Sequence, residues 1–287
     1  MLAHGTGSSM PSICQMEELK MNNTIDQLTF HLLGTPEAQI AGTPLSLHHQ
    51  KARALLYYLA ATGRSHTRDY LAALLWSETP DSNARHSLRS SLYHIRQALE
   101  VQKAGETLIG DSDRIQLRLN DEACDVIQFR RLLTEGNEHA LAKAVMLYHG
   151  PFLQGLTVGD APLFEEWMRF EEYELAQACL TALQHLTSWA EERQDWDSAI
   201  SYAQRTVQLD QFAEEMQQRL IRLYLHTGAI GQALRQYHQF ETELSHELGL
   251  TPSPETQALL SAALTRRHGT SIQTSTRPNP CLLYTSD

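Results

Sequence analysis

Residues 82–99, SNARHSLRSSLYHIRQAL, constrain this chain more than any other stretch. Ala84, Leu88, Leu92, Ile95 and Leu99 recur at the helical period and form one apolar stripe. Asp81 or Ser82 can cap the helix start, because a short side-chain oxygen there accepts from orphan backbone N–H groups. The other faces carry Arg85, His86, Arg89, Ser90, Tyr93, Arg96 and Gln97, with no acid until Glu100. Such a helix must bury its stripe against a partner and present arginines outward, where they can meet phosphates or guanine edges. Alone it also suits a solvated surface, so its neighbourhood decides.

Gln50–Ala61 (QKARALLYYLAA) again fits a helical stripe, through Ala54, Leu55, Tyr58, Leu59 and Ala61, and Gly63 stops it. Thr67–Trp76 reads as a short second helix, and Thr79-Pro80-Asp81 breaks the chain before the third. Thr107–Gly110 and Arg114–Leu119 then read as two strands around an Asp111-Ser112-Asp113 turn. Three helices followed by a β-hairpin describe a winged helix-turn-helix with its last helix placed for the major groove of double-stranded DNA.

In order and spacing, LSLHHQKARALLYYLA, YLAALLW and NARHSLRSSLYHIRQAL resemble the OmpR/PhoB-type winged helix of the AfsR/SARP family of bacterial transcriptional activators. That resemblance implies a small opening sheet, for which Leu28–Leu33 and Pro44–Leu47 are the expected strands. It also implies binding to direct repeats near a promoter, a homodimer on DNA, and recruitment of RNA polymerase. With about 25 residues before the first strand, no phospho-receiver domain is expected.

The net charge of −11 does not argue against nucleic acid, because it is unevenly spread. Residues 20–119 hold 11 Lys/Arg against 9 Asp/Glu, whereas residues 120–287 hold 12 against 23. A mildly basic module therefore precedes an acidic one, and only the first is suited to phosphate. Cys14, Cys124, Cys179 and Cys281 form no C-x-x-C pair, so neither a disulfide framework nor a zinc knuckle is expected and a reducing cytoplasm is the default. No apolar run is long enough to span a membrane.

Beyond an acidic bridge at Asn120–Asp125, helices are expected from Asp125, over His139–Tyr148, and over a long pattern from Pro162 to Gln194. Its apolar set includes Leu163, Trp167, Phe170, Leu175, Cys179, Leu183, Leu186 and Trp189. A repeat follows: Ala199, Ala203 and Thr206 recur as Ala233, Tyr237 and Phe240, each pair 34 residues apart. Leu186 and Trp189 stand 34 before Leu220 and Leu223. That is the tetratricopeptide period, with Asp195 and Gly228 marking turns, and it predicts an α-solenoid of roughly three hairpins.

Residues 125–264, through DVIQFRRLL, YHGPFLQGL, FEEWMRFEEYEL and LGLTPSPET, resemble the bacterial transcriptional activator domain. The resemblance implies a role in dimerisation or regulation. Some relatives continue into a nucleotide-binding ATPase, so a sensory or protein-interaction head of a larger ATP-dependent regulator is the alternative. The expected class is mainly α with a small β component. The expected domains are an extension at 1–24, a winged helix at 25–120, a tetratricopeptide-like domain at 125–264 and a disordered tail at 269–287.

No enzymatic constellation or cofactor is expected. Gly5-Thr6-Gly7-Ser8-Ser9 lacks the lysine of a phosphate loop. His48, His49, His86 and His94 lack a completing carboxylate or cysteine for metal. Glu165, Glu166, Glu171, Glu172 and Glu174 read as solvated surface, and Trp167, Trp189 and Trp196 as packing. The DNA-binding candidates are Arg85, His86, Arg89, Ser90, Tyr93 and Arg96 on the third helix, with Arg89 foremost for base contact. Arg96 is open between the DNA backbone and an acid in the core. Arg114 is the wing candidate at the hairpin tip, and Lys51 and Arg53 are candidates to clamp phosphate.

Overall fold

A computed structural model describes residues 28–273, with side-chain surroundings through Thr265. The expected extension 1–24, most of the expected tail, Cys14 and Cys281 lie outside the described residues. The chain forms two compact units that divide between Cys179 and Leu180.

The first unit opens with β1 (Leu28–His31), β2 (Glu37–Ile40) and β3 (Thr43–Pro44), an antiparallel sheet in that order with Leu28 opposite Ile40 and Phe30 opposite Ala38. β2 was not expected, and the strand expected over Pro44–Leu47 shrinks to β3. Ala41 and Gly42 both take positive φ (51° and 76°), the two-residue turn that folds residues 43–44 back on 37–40.

Helix α1 (Gln50–Thr62) buries nine residues, Ala52 and every position from Ala54 to Ala61. The stripe read from the sequence is therefore too narrow: α1 is apolar on all sides, as the central helix of a core must be. Gly63, at φ 61°, ends it with its N–H on the Leu59 carbonyl. Strand β4 (His66–Thr67) leads into α2 (Arg68–Leu75), whose N-cap Thr67 accepts from the Tyr70 N–H at 3.3 Å.

Helix α3 (Asp81–Val101) starts from Pro80, which accepts the N–H groups of Asn83 and Ala84; neither Asp81 nor Ser82 caps it. Strands β5 (Leu108–Gly110) and β6 (Arg114–Leu117) follow, and β4 joins them in an antiparallel sheet of order β4-β6-β5. Together these elements are a winged helix-turn-helix.

The unit continues through α4 (Asp125–Glu135), α5 (Glu138–Leu147) and the start of α6 (Pro162–Glu192). The presumed acidic bridge holds its main fastening. Buried Asp125 accepts the N–H groups of Leu32 (2.7 Å) and Leu33 (2.9 Å) on one carboxylate oxygen and that of Val126 (2.8 Å) on the other. Burial pushes this carboxyl above its usual range, against the pull of the three donors. Nearby, the Phe30 N–H bonds Ala123 O at 2.7 Å.

The second unit holds the end of α6, then α7 (Trp196–Leu209), α8 (Glu214–His226), α9 (Ile230–Leu248) and α10 (Pro254–Gln273). Helix α10 thus runs into residues expected to be disordered. Ala190, Ala199, Ala203, Leu220, Ala233 and Tyr237 share one core, small residues letting the helices approach. The 34-residue period is visible in the backbone. Asp195 N–H bonds Ala190 O at 2.9 Å, and Ala229 N–H bonds Tyr224 O at 2.8 Å, 34 residues on. Gln194 (φ 60°) and Gly228 (φ 75°) take the same left-handed position in the two turns. Among the described residues this unit is a tetratricopeptide-like solenoid of two hairpins followed by α10; the third expected hairpin is α4 packed on α5, within the first unit. An Arg219–Glu191 pair, with two contacts of 2.9 Å, links α8 to α6 within this unit. No helix among the described residues is long and apolar enough to cross a membrane.

Two stability outcomes follow from these fastenings. Asp125→Ala leaves three backbone donors unsatisfied and is expected to destabilise the first unit by about 3 kcal/mol in urea unfolding. Gln194→Gly relieves a left-handed non-glycine residue and is expected to stabilise by about 1 kcal/mol in the same measurement.

Candidate nucleic-acid interface

The apolar stripe of α3 sets the direction of everything else on that helix. Ala84, Leu88, Leu92, Ile95 and Leu99 are all buried, with exposures of 4% or less, and α3 packs on α1 and α2. Arg85, Arg89, Tyr93 and Arg96, at steps of four, four and three, then form a single row outside the buried face, flanked by His86 and Ser90. All six except half-buried Arg96 are exposed.

Arg85 is not isolated: its Nε donates to Asp69 Oδ1 at 2.9 Å, with both side chains largely in solvent. An exposed pair of this kind is worth less than about 1 kcal/mol, so a phosphate can displace the carboxylate. Arg96 makes no ion pair among the described residues; it lies instead near Arg68, and the two charges of Arg96 and Arg89 reach the same guanidinium. Burial first, then these two cations, hold Arg68 below its usual basicity. Three arginines from two helices therefore converge on one side of the helix-turn-helix.

Arg68 was missed by the sequence reading, and so was Arg64. Both flank β4, a strand too short to read as one, and their signal was two arginines straddling the segment just after the Gly63 stop. Arg68 also fastens the wing: its backbone N–H bonds Asp113 O at 2.8 Å and its Nε bonds Asp111 O at 2.9 Å. The Asp111 carboxylate accepts the N–H groups of Asp113 and Arg114, both at 2.7 Å, which forms the turn and lowers its pKa.

Arg114 does not occupy the hairpin tip. It is the first residue of β6, and its guanidinium turns back to Ser65, donating to Oγ at 3.0 Å and to the carbonyl at 3.2 Å. The tip carries Asp111 and Asp113, whose charge is unfavourable beside phosphate, so the basic edge lies at the base of the wing.

Lys51 and Arg53 are placed elsewhere. The Lys51 ammonium donates to Leu75 O and Asp160 O, both at 2.9 Å, and sits 5.5 Å above the Trp76 ring, which leaves it fastening α1 rather than free to clamp phosphate. Burial lowers its pKa. Arg53 is half-buried, and its Nε is shielded without a hydrogen-bond partner. The rings of His49 and His94 stack at 3.9 Å, but no group of three metal-ligating side chains occurs among the described residues.

Comparison with known proteins bears on this arrangement. Residues 124–264 match the family model described as the bacterial transcriptional activator domain. The chain is 24% identical over 251 residues to the transcriptional regulatory protein MoaR1 of Mycobacterium tuberculosis, covering 82% of this chain and 79% of that protein. It is 25% identical over 241 residues to the transcriptional regulatory protein EmbR of Mycobacterium tuberculosis, covering 81% of this chain but 62% of EmbR. A solved structure of Mycobacterium tuberculosis EmbR in complex with a low-affinity phosphopeptide superposes with a TM-score of 0.57 at 23% identity, over 86% of this chain and 71% of that one. The likeness shows a shared fold.

At the base of the wing, His66 is buried and hydrogen-bonded to Thr62 Oγ1 at 2.9 Å. Burial, then Arg64 and Arg114, lower its pKa to about 4. The unfolded chain takes up this proton near pH 6.5 and the folded chain only near pH 4, so stability is lost as pH falls through that window. His66→Gln is expected to spare about 2 kcal/mol of the loss measured by urea unfolding between pH 7 and pH 5.

Proposed function

We propose that this chain is a sequence-specific DNA-binding transcriptional activator acting in the cytoplasm, with an OmpR/PhoB-type winged helix that reads the major groove through α3. The observation that carries the reading is the convergence of Arg89 and Arg96 of α3 with Arg68 of α2 on the open side of a helix-turn-helix. Arg89, in mid-row and exposed, reads a base edge; Tyr93, His86 and Ser90 contact bases or sugar beside it. Arg68, Arg96 and Arg64 neutralise phosphates, and Arg85 joins them by exchanging Asp69 for a phosphate. Arg114 contributes from the base of the wing, while Lys51 holds the scaffold through the carbonyls of Leu75 and Asp160.

The names of the relatives and the activator-domain match support a role in transcription rather than in nucleic-acid metabolism. In this reading the protein binds direct repeats near a promoter as a homodimer, and the helical domain recruits RNA polymerase. The modest excess of positive charge over residues 20–119 makes affinity depend on where the arginines sit and on paired half-sites.

Selection of binding sites from random duplexes with the full chain, followed by titration across salt, tests the proposal. A recovered motif with repeated half-sites is expected, and Arg89→Ala should weaken it about tenfold or more while relaxing one base position. Arg68→Ala should weaken all sequences alike and reduce the salt slope by about 1. Selection that recovers no motif would overturn the reading.

A further inference from the structure

The arginines around α3 and the base of the wing are not equivalent. Arg64, Arg68, Arg89, Arg96 and Arg114 form no ion pair among the described residues, whereas Arg85 is held by Asp69. Asp69 is the second residue of α2 and Arg85 the fifth of α3, so the pair bridges two helices of the helix-turn-helix.

The form of this pair sets it apart from one that fastens the fold. Arg219 and Glu191 meet through two contacts of 2.9 Å, with side chains 23% and 30% exposed. Arg85 meets Asp69 through Nε alone, with side chains 56% and 72% exposed. One contact in open water adds little to stability. Asp69 also lies in the first turn of α2, where unpaired backbone N–H groups favour a carboxylate whether or not Arg85 is present. The pair is therefore weak enough to exchange, yet it fills the place where an incoming phosphate would meet Arg85.

We propose that Asp69 is an internal competitor for phosphate, an autoinhibitory contact through Arg85 that lowers affinity for every duplex alike. The proposal rests on the DNA-binding reading and gives Asp69 a part in it. Docking exchanges one charge-assisted contact of Arg85 for another, so this arginine adds little net attraction. Arg89 has no such competitor among the described residues, and base contact and paired half-sites therefore carry a larger share of the affinity. Bracing Arg85 for a guanine edge is the other role open to such a carboxylate. A single Nε contact does not fix the guanidinium plane as the paired contacts of Arg219 do, so the geometry favours competition.

Fluorescence anisotropy of the full chain with a selected duplex and a scrambled duplex of the same length tests the proposal. The titrations are run at about 0.15 M salt, where repulsion beyond about 8 Å is screened. Asp69→Asn is expected to tighten both duplexes by about fivefold, the worth of one exposed ion pair, with an unchanged helical circular-dichroism spectrum. In an Arg85→Ala background the same substitution should change affinity by less than about twofold, because the carboxylate acts through Arg85. Unchanged affinity, a loss confined to the selected duplex, or equal tightening in the Arg85→Ala background overturns the proposal. A wild-type chain that binds neither duplex fails the DNA-binding reading and this proposal with it. Wild-type binding that gains nothing from Asp69→Asn removes the proposal and leaves the DNA-binding reading standing.

Discussion

Burial of one stripe on α3 is the constraint on which the rest of this structure depends. Leu88, Leu92, Ile95 and Leu99 can leave water only by packing on the helices below, and the 3.6-residue turn then fixes where every other side chain points. Arg85, Arg89, Tyr93 and Arg96 emerge on the open side as a consequence. Helix α1 makes this possible by being apolar all round, so that α2, α3, α4 and β6 can pack on it. The Asp125 carboxylate fastens the opening sheet to α4 at the edge of the same unit.

The electrostatics of the basic edge are local rather than global. A chain of charge −11 still gathers Arg64, Arg68, Arg89, Arg96 and Arg114 around α3 and the base of the wing. The cost is visible in Arg68 and His66, both shifted toward their neutral forms by burial and by neighbouring cations. Among the described residues no carboxylate forms an ion pair with Arg89 or Arg96; an arriving phosphate would relieve their repulsion from Arg68.

Legibility in the sequence followed the strength of the local signal. The α3 stripe, the Gly63 stop and the Asp111–Asp113 turn were readable because each is encoded within a few residues. The 34-residue period was readable because small residues must recur where helices approach, and the same backbone bond recurs with them at Ala190 and Tyr224. What escaped depends on distant partners. Strand β4 has two residues and exists because β6 pairs with it, which hid Arg64 and Arg68. Asp125 looked like one more acid in a polar bridge until the N–H groups of Leu32 and Leu33, over 90 residues away, met it. Lys51 looked free until the carbonyls of Leu75 and Asp160 closed on it, and Arg114 looked like a wing tip until Ser65 drew it back.

The central claim is that DNA lies against α3 and the base of the wing. Hydrogen exchange of the full chain, with and without a selected duplex, tests it most directly. The account predicts slowed exchange over residues 64–69, 82–97 and 108–116, because these segments would lose access to solvent. Protection absent from those segments and confined to residues 180–265 would contradict it, and would make the solenoid the part of the chain that does the binding.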